Sequence, residues 1–100
     1  MKQRDVVFAP EAREDLIALY SWIATKADPD TALSYIERIE TFCNHFDFAS
    51  ERGQQRDDIR PGLRIVGFEK RLTIAFIVSD TTVTILRVFY GGQNWEEKLG

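Results

Sequence analysis

The sequence is poor in the residues that build disulfides and metal sites. One cysteine, Cys43, stands in 100 residues, so no internal disulfide can form. One histidine, His45, rules out a metal site built on a histidine pair. No CxxC, HExxH, GxGxxG or phosphate-loop pattern occurs. Neither a metal nor another cofactor is therefore expected. Nothing approaches the roughly 20 apolar residues of a membrane-spanning helix. The opening MKQRDVVFAP has no apolar run of the kind a secretory signal needs. Positive charge is not in excess: 13 Lys and Arg stand against 16 Asp and Glu, a formal net charge of −3. Binding through nucleic-acid phosphates usually takes a basic surface, so direct DNA binding is not expected. A small cytoplasmic domain is the expectation, in keeping with the low cysteine use.

What is present is a core. Hydrophobic residues make up 44% and aromatics 12%, enough for one domain over residues 1–100 and too rich for disorder. DVVFA, Asp5 to Ala9, is β-branched and reads as a first strand. Pro10 suits the first turn of a helix, with Glu11, Glu14 and Asp15 at its positive end. Ala12, Leu16, Leu19, Tyr20 and Ile23 recur at helical spacing, flanked by Ile17, while Trp22 projects away from the stripe.

Asp28 and Pro29 signal a second helix start. That helix should run to about Phe46, with Ala32, Ile36, Ile39, Cys43 and Phe46 as its stripe, widened by Tyr35 and Phe42. The pair reads as a helical hairpin. Residues 49–62 are polar and read as a loop. Three strands follow: Leu63 to Phe68, Arg71 to Ser79, and Thr82 to Tyr90, with links short enough for hairpins. WEEKL reads as a final turn. The order β-α-α-β-β-β is α+β: an antiparallel sheet carrying a helical hairpin on one face. Both strand faces are apolar, so something besides the helices must shield the second.

Few residues invite chemistry. Cys43 and His45 lie two apart on a helix and do not face each other. Cys43 falls on the apolar stripe, where a free cysteine behaves as a small hydrophobe. Glu11, Glu14 and Asp15 have a sufficient explanation in the helix dipole. The arginines are less easily placed. Strand alternation sets Arg64 on one face with Val66 and Phe68, and Arg87 with Val83 and Ile85. Each is either a surface arginine packed along its stem or part of a cationic strip. Tyr90, Gly91 and Gly92 read as a sharp strand exit, with Trp95 able to fold back on the sheet.

Three stretches, in order and spacing, carry a resemblance. FAPEAREDLIALYSWIA, RPGLR and VTILRVFYGGQNW resemble the first helix, the approach to the second strand and the last strand of ParE-type toxins of the RelE/ParE superfamily. The resemblance spans nearly the whole chain. It implies the β-α-α-β-β-β fold and a toxin of a type II toxin–antitoxin module, neutralised by a cognate ParD-like antitoxin that itself carries the DNA-binding part. ParE-type members poison DNA gyrase by binding, whereas RelE-type members cleave messenger RNA on the ribosome. Gln93 and Ile77 stand where many family members have arginine, and Tyr90 where many ParE-type chains have histidine. With the acidic charge, these departures favour gyrase over the nuclease. A non-toxic, antitoxin-binding relative is the further alternative. The resemblance and the residue patterns together suggest a target surface of Arg64, Arg87, Tyr90, Gln93 and Trp95. The suggested antitoxin surface comprises Leu19, Trp22, Tyr35, Phe42, Arg60 and Arg71.

Overall fold

Asp28 starts the second helix from just outside it. Its carboxylate accepts the Thr31 N–H at 2.7 Å and the Thr31 hydroxyl at 2.8 Å. Pro29 fills the first helical position, where no N–H is needed. These donors hold the Asp28 carboxyl below its ordinary range. The computed structural model describes residues 3–48, 50–91 and 95–99, for Trp95 and Lys98 the backbone only. Its elements are β1 (Asp5–Phe8), α1 (Pro10–Lys26), α2 (Pro29–Asn44), β2 (Gln54–Gln55), β3 (Leu63–Phe68), β4 (Leu72–Val78), β5 (Thr82–Tyr90) and α3 (Trp95–Leu99).

The five strands form one sheet in the order β1-β5-β4-β3-β2. The last four pair antiparallel, but β1 joins the edge of β5 in parallel, Val6 beside Val83 and Phe8 beside Ile85. A parallel neighbour needs a long crossover, and here most of the chain supplies it. The polar stretch expected as loop contributes the two residues of β2, which pair with Arg64 and Ile65. The backbone approaches closely there: a Cβ on Gly53, at φ +75°, would run into the Ile65 carbonyl oxygen. The second helix ends two residues before Phe46, and the chain tightens into a 3-10 turn over His45–Asp47. That turn carries Phe46 fully under the sheet.

The sheet is buried on both sides. The helices bring Leu16, Leu19, Ile39, Cys43 and Phe46 against Ile74, Phe76, Val83, Ile85 and Val88. Phe46 lies 4.8 Å from Phe76, ring to ring, and neither is exposed. On the second face Leu63, Ile65, Ala75 and Phe89 are covered by Ile59 and Leu99, from the loop before β3 and from α3. Arg56 ties these covers together, donating to Asp58 and to Glu96 of α3 at 2.7 Å. This is the second shield that apolar strand faces require.

One expectation of alternation fails. The register between β4 and β5 slips, with Phe76 opposite Ile85 but Ala75 opposite Arg87. Leu86 is the extra residue of a β-bulge, which reverses the facing of everything after it. Arg87 therefore does not share a face with Val83 and Ile85. It lies on the second face with Ala75 and Phe89, its guanidinium 4.8 Å from the Phe89 ring centre.

Candidate functional site

The aromatic residues of both helices and two strand ends converge along one side of α2. Trp22 of α1 meets Tyr90 at the end of β5, with ring centres 5.3 Å apart. Tyr35 of α2 meets the Tyr90 ring edge-on at 6.2 Å and the Phe68 ring at 6.4 Å. Phe68 in turn lies 4.7 Å from Phe42. The line exists because α2 places Tyr35 and Phe42 two turns apart, above the ends of β3 and β5. Exposure varies along it: Tyr35 is buried, and Trp22 is 49% exposed.

A cleft of about 610 Å³ opens over the first half of this line, walled by Trp22, Tyr35, Tyr90, Lys26, Arg38 and Arg71. Arg38 spans it. Its guanidinium stacks 5.1 Å from the Tyr35 ring centre and donates to both carboxylate oxygens of Glu69, at 2.9 and 3.1 Å. That bond holds the Glu69 carboxyl below its ordinary range. Burial, then the nearby Glu69, pushes the Tyr35 hydroxyl upward and keeps it protonated. Rings beside cations form a surface for apolar side chains and a carboxylate.

The expected site residues divide. Trp22, Tyr35, Tyr90 and Arg71 come together here, so residues assigned to two different partners share one cleft. Phe42 lies further along the same line, with the Arg52 guanidinium 5.2 Å from its ring centre. Leu19 is buried at 6% exposure and serves the core. Arg60 is exposed in the turn before β3, away from the cleft. Arg64 faces the helical side and donates to the Arg52 carbonyl at 3.2 Å. Arg87 faces the other side and binds Asp15. Arg64 and Arg87 thus form no common cationic strip. Gln93 and the Trp95 side chain lie outside the described residues, as does Gly92. Gly91, at φ +72°, turns the chain out of β5 and donates to the Arg71 carbonyl at 2.8 Å. Strand exit and cleft wall are therefore the same few residues.

Sequence reasoning missed Arg38 and Glu69, which lie 31 residues apart. A signal for Arg38 was available: Asp30, Ser34 and Arg38 recur every four residues and make one ridge of α2. Cys43 is fully buried, and burial pushes its thiol up to about 12. It is not a nucleophile at neutral pH.

A mostly antiparallel five-stranded sheet with a helical hairpin on one face is the architecture of the RelE/ParE toxins. The chain matches the family model described as ParE toxin of type II toxin-antitoxin system, parDE, over residues 6–95, and it belongs to that family. Solved structures agree in fold. The chromosomal ParDE toxin–antitoxin system from P. aeruginosa superposes with a TM-score of 0.78 at 22% identity, covering 89% of this chain and 97% of that one. The RelBE2 complex from Mycobacterium tuberculosis gives 0.63 at 20% identity, covering 93% and 97%. The DinJ-YafQ complex from E. coli gives 0.54 at 15% identity, covering 88% and 92%. Among curated proteins nothing matches.

Proposed function

We propose that this toxin acts by binding: it inhibits DNA gyrase and is held inactive by a ParD-like antitoxin. The match of residues 6–95 to the ParE family carries this reading. The open aromatic cleft supports it, because half-exposed tryptophan beside tyrosine and arginine is what protein partners engage. An antitoxin helix lying along α2 meets Trp22, Phe42 and Arg71, with Leu19 and Tyr35 as the rigid floor and Arg60 as an outlying contact. Tyr90, Gln93, Trp95, Arg64 and Arg87 are the residues proposed for the target.

The test is induction of this chain alone in bacteria, with pulse-labelling of DNA and protein synthesis. DNA synthesis falls first if gyrase is the target, and purified gyrase then loses supercoiling activity when the toxin is added. Protein synthesis falling first overturns the gyrase reading in favour of ribosome-dependent cleavage of messenger RNA. No fall in either, with soluble protein present, overturns toxicity itself.

A further inference from the structure

A second cleft of about 610 Å³ lies beyond the first, walled by Leu33, Phe42, His45 and Phe68. The two clefts share four wall residues: Asp30, Ser34, Arg38 and Glu69. Three of these are the α2 ridge. The fourth, Glu69, reaches across from the tip of the β3–β4 hairpin. The only bonds closing the gap between ridge and hairpin, among the described residues, are those of Arg38 with Glu69. The clefts are therefore one groove along α2 with a bar across its middle.

The bar is built to move. Its side chains are 50% and 40% exposed, and an ion pair so exposed to water holds weakly. Glu69 and Lys70 form the hairpin tip at φ +50° and +64°, a left-handed conformation that neither residue favours. Arg38 has two contacts besides Glu69. It stacks on Tyr35, and its Nη1 donates to Ser34 Oγ at 3.2 Å. With Glu69 away, these two contacts still hold the guanidinium over Tyr35 at the centre of the groove. Lys26 and Arg71 stand in the first half and form no ion pair among the described residues.

We propose that Arg38–Glu69 is a gate, and that the groove takes an antitoxin segment carrying one acidic side chain between two apolar anchors. The partner carboxylate replaces Glu69 on Arg38. One anchor enters beside Trp22 and Tyr90, the other beside Leu33 and Phe42. The charge favours such an occupant: with Glu69 displaced, Lys26, Arg38 and Arg71 outnumber Asp30 and Glu37 along the groove, and Lys26 and Arg71 stand in its first half. This inference rests on the toxin–antitoxin reading and adds to it the segment's chemistry and the displaced residue.

The probe is the purified product of the gene adjacent to this chain's own, titrated against three forms of the toxin by calorimetry. Glu69→Gln removes the competitor, and affinity rises three- to tenfold. Arg38→Gln removes the acceptor, and affinity falls at least tenfold. The opposite signs are decisive, because both variants break the same hairpin anchor. A merely structural role for the pair moves both affinities down together, and that result overturns the gate. Thermal unfolding of each variant confirms that it is folded, which the exposure of both side chains leads us to expect. If wild type and both variants bind within twofold of each other, the gate fails while the toxin–antitoxin reading stands. If the wild-type chain binds nothing, that reading fails and the gate with it.

Discussion

Asp15 of α1 holds Arg87 of β5 through two hydrogen bonds of 2.8 and 3.0 Å, and its Oδ2 also accepts the Val88 N–H at 2.9 Å. The position matters more than the charges. β1 follows β5 only as far as Ile85, where Ala9 makes the last backbone bond. Beyond it the edge of β5 has no strand beside it among the described residues, and the bulge at Leu86 bends it. Asp15 takes over where the strand stops, closing the edge with a carboxylate.

Replacing Asp15 by Ala therefore costs about 2–3 kcal/mol. It leaves a part-buried guanidinium and a strand N–H without their acceptor. Asp15→Asn keeps an acceptor for Val88 and costs about 1 kcal/mol. Urea unfolding of the two variants measures both. Equal losses, or a loss within error of zero for Ala, show that the edge is held by something else.

Asp15 also marks the limit of what the sequence disclosed. Its place in the first helix was legible, and so was a sufficient reason for it, the helix dipole. The second reason was not, because its partners lie 72 and 73 residues away. The same holds across the molecule. Periodicity and capping located both long helices and β3 to β5 to within about two residues, since those signals are local. The parallel pairing of β1 and the two residues of β2 depend on what the sheet edge accepts, and no local pattern encodes them. The bulge at Leu86 broke the alternation that had placed Arg87. Of the site, Trp22, Tyr35, Phe42, Arg71 and Tyr90 could be named singly from pattern and resemblance. That they line one groove barred by Arg38 and Glu69 is a tertiary fact.

Cys43 is predicted to be silent. With its thiol buried and pushed up to about 12, almost none is thiolate at neutral pH. A disulfide reagent such as Ellman's should react with the unfolded chain within minutes and with the folded chain only at the rate of opening. Rapid reaction of the folded protein shows that the stripe of α2 is not packed as described.

The pH dependence follows from three carboxylates. Asp28, Asp58 and Glu69 are held below their ordinary ranges by Thr31, Arg56 and Arg38 respectively. Each is more readily ionised folded than unfolded, so the unfolded chain binds more protons between the two values. Their contribution is complete above the ordinary values of 3.8 for Asp and 4.5 for Glu. It is lost as pH falls through the lower folded values. The urea midpoint should be flat with respect to these groups above about pH 5 and should fall below about pH 4. Combining Asp28→Asn with Glu69→Gln should flatten the acid limb. An unchanged limb means that other carboxylates govern acid unfolding.

Trp22 and Leu19 separate binding from folding, although both lie on α1 and both carry large apolar side chains. Leu19 is 6% exposed and packs in the core, so Leu19→Ala should cost about 2–4 kcal/mol of stability. Trp22 is 49% exposed and meets its own chain on one side, at Tyr90. Trp22→Ala should cost less, about 1–2 kcal/mol of stability, because about half of that side-chain surface never left water. In a complex the same ring is the side chain most able to dominate the interface, and its loss should cost about 2 kcal/mol of antitoxin affinity, roughly thirtyfold. Thermal unfolding and calorimetric titration on the two variants give the four numbers. A Trp22→Ala protein that binds within twofold of wild type places the antitoxin on another face, because an anchor half-buried before binding has little else to do at the mouth of the cleft.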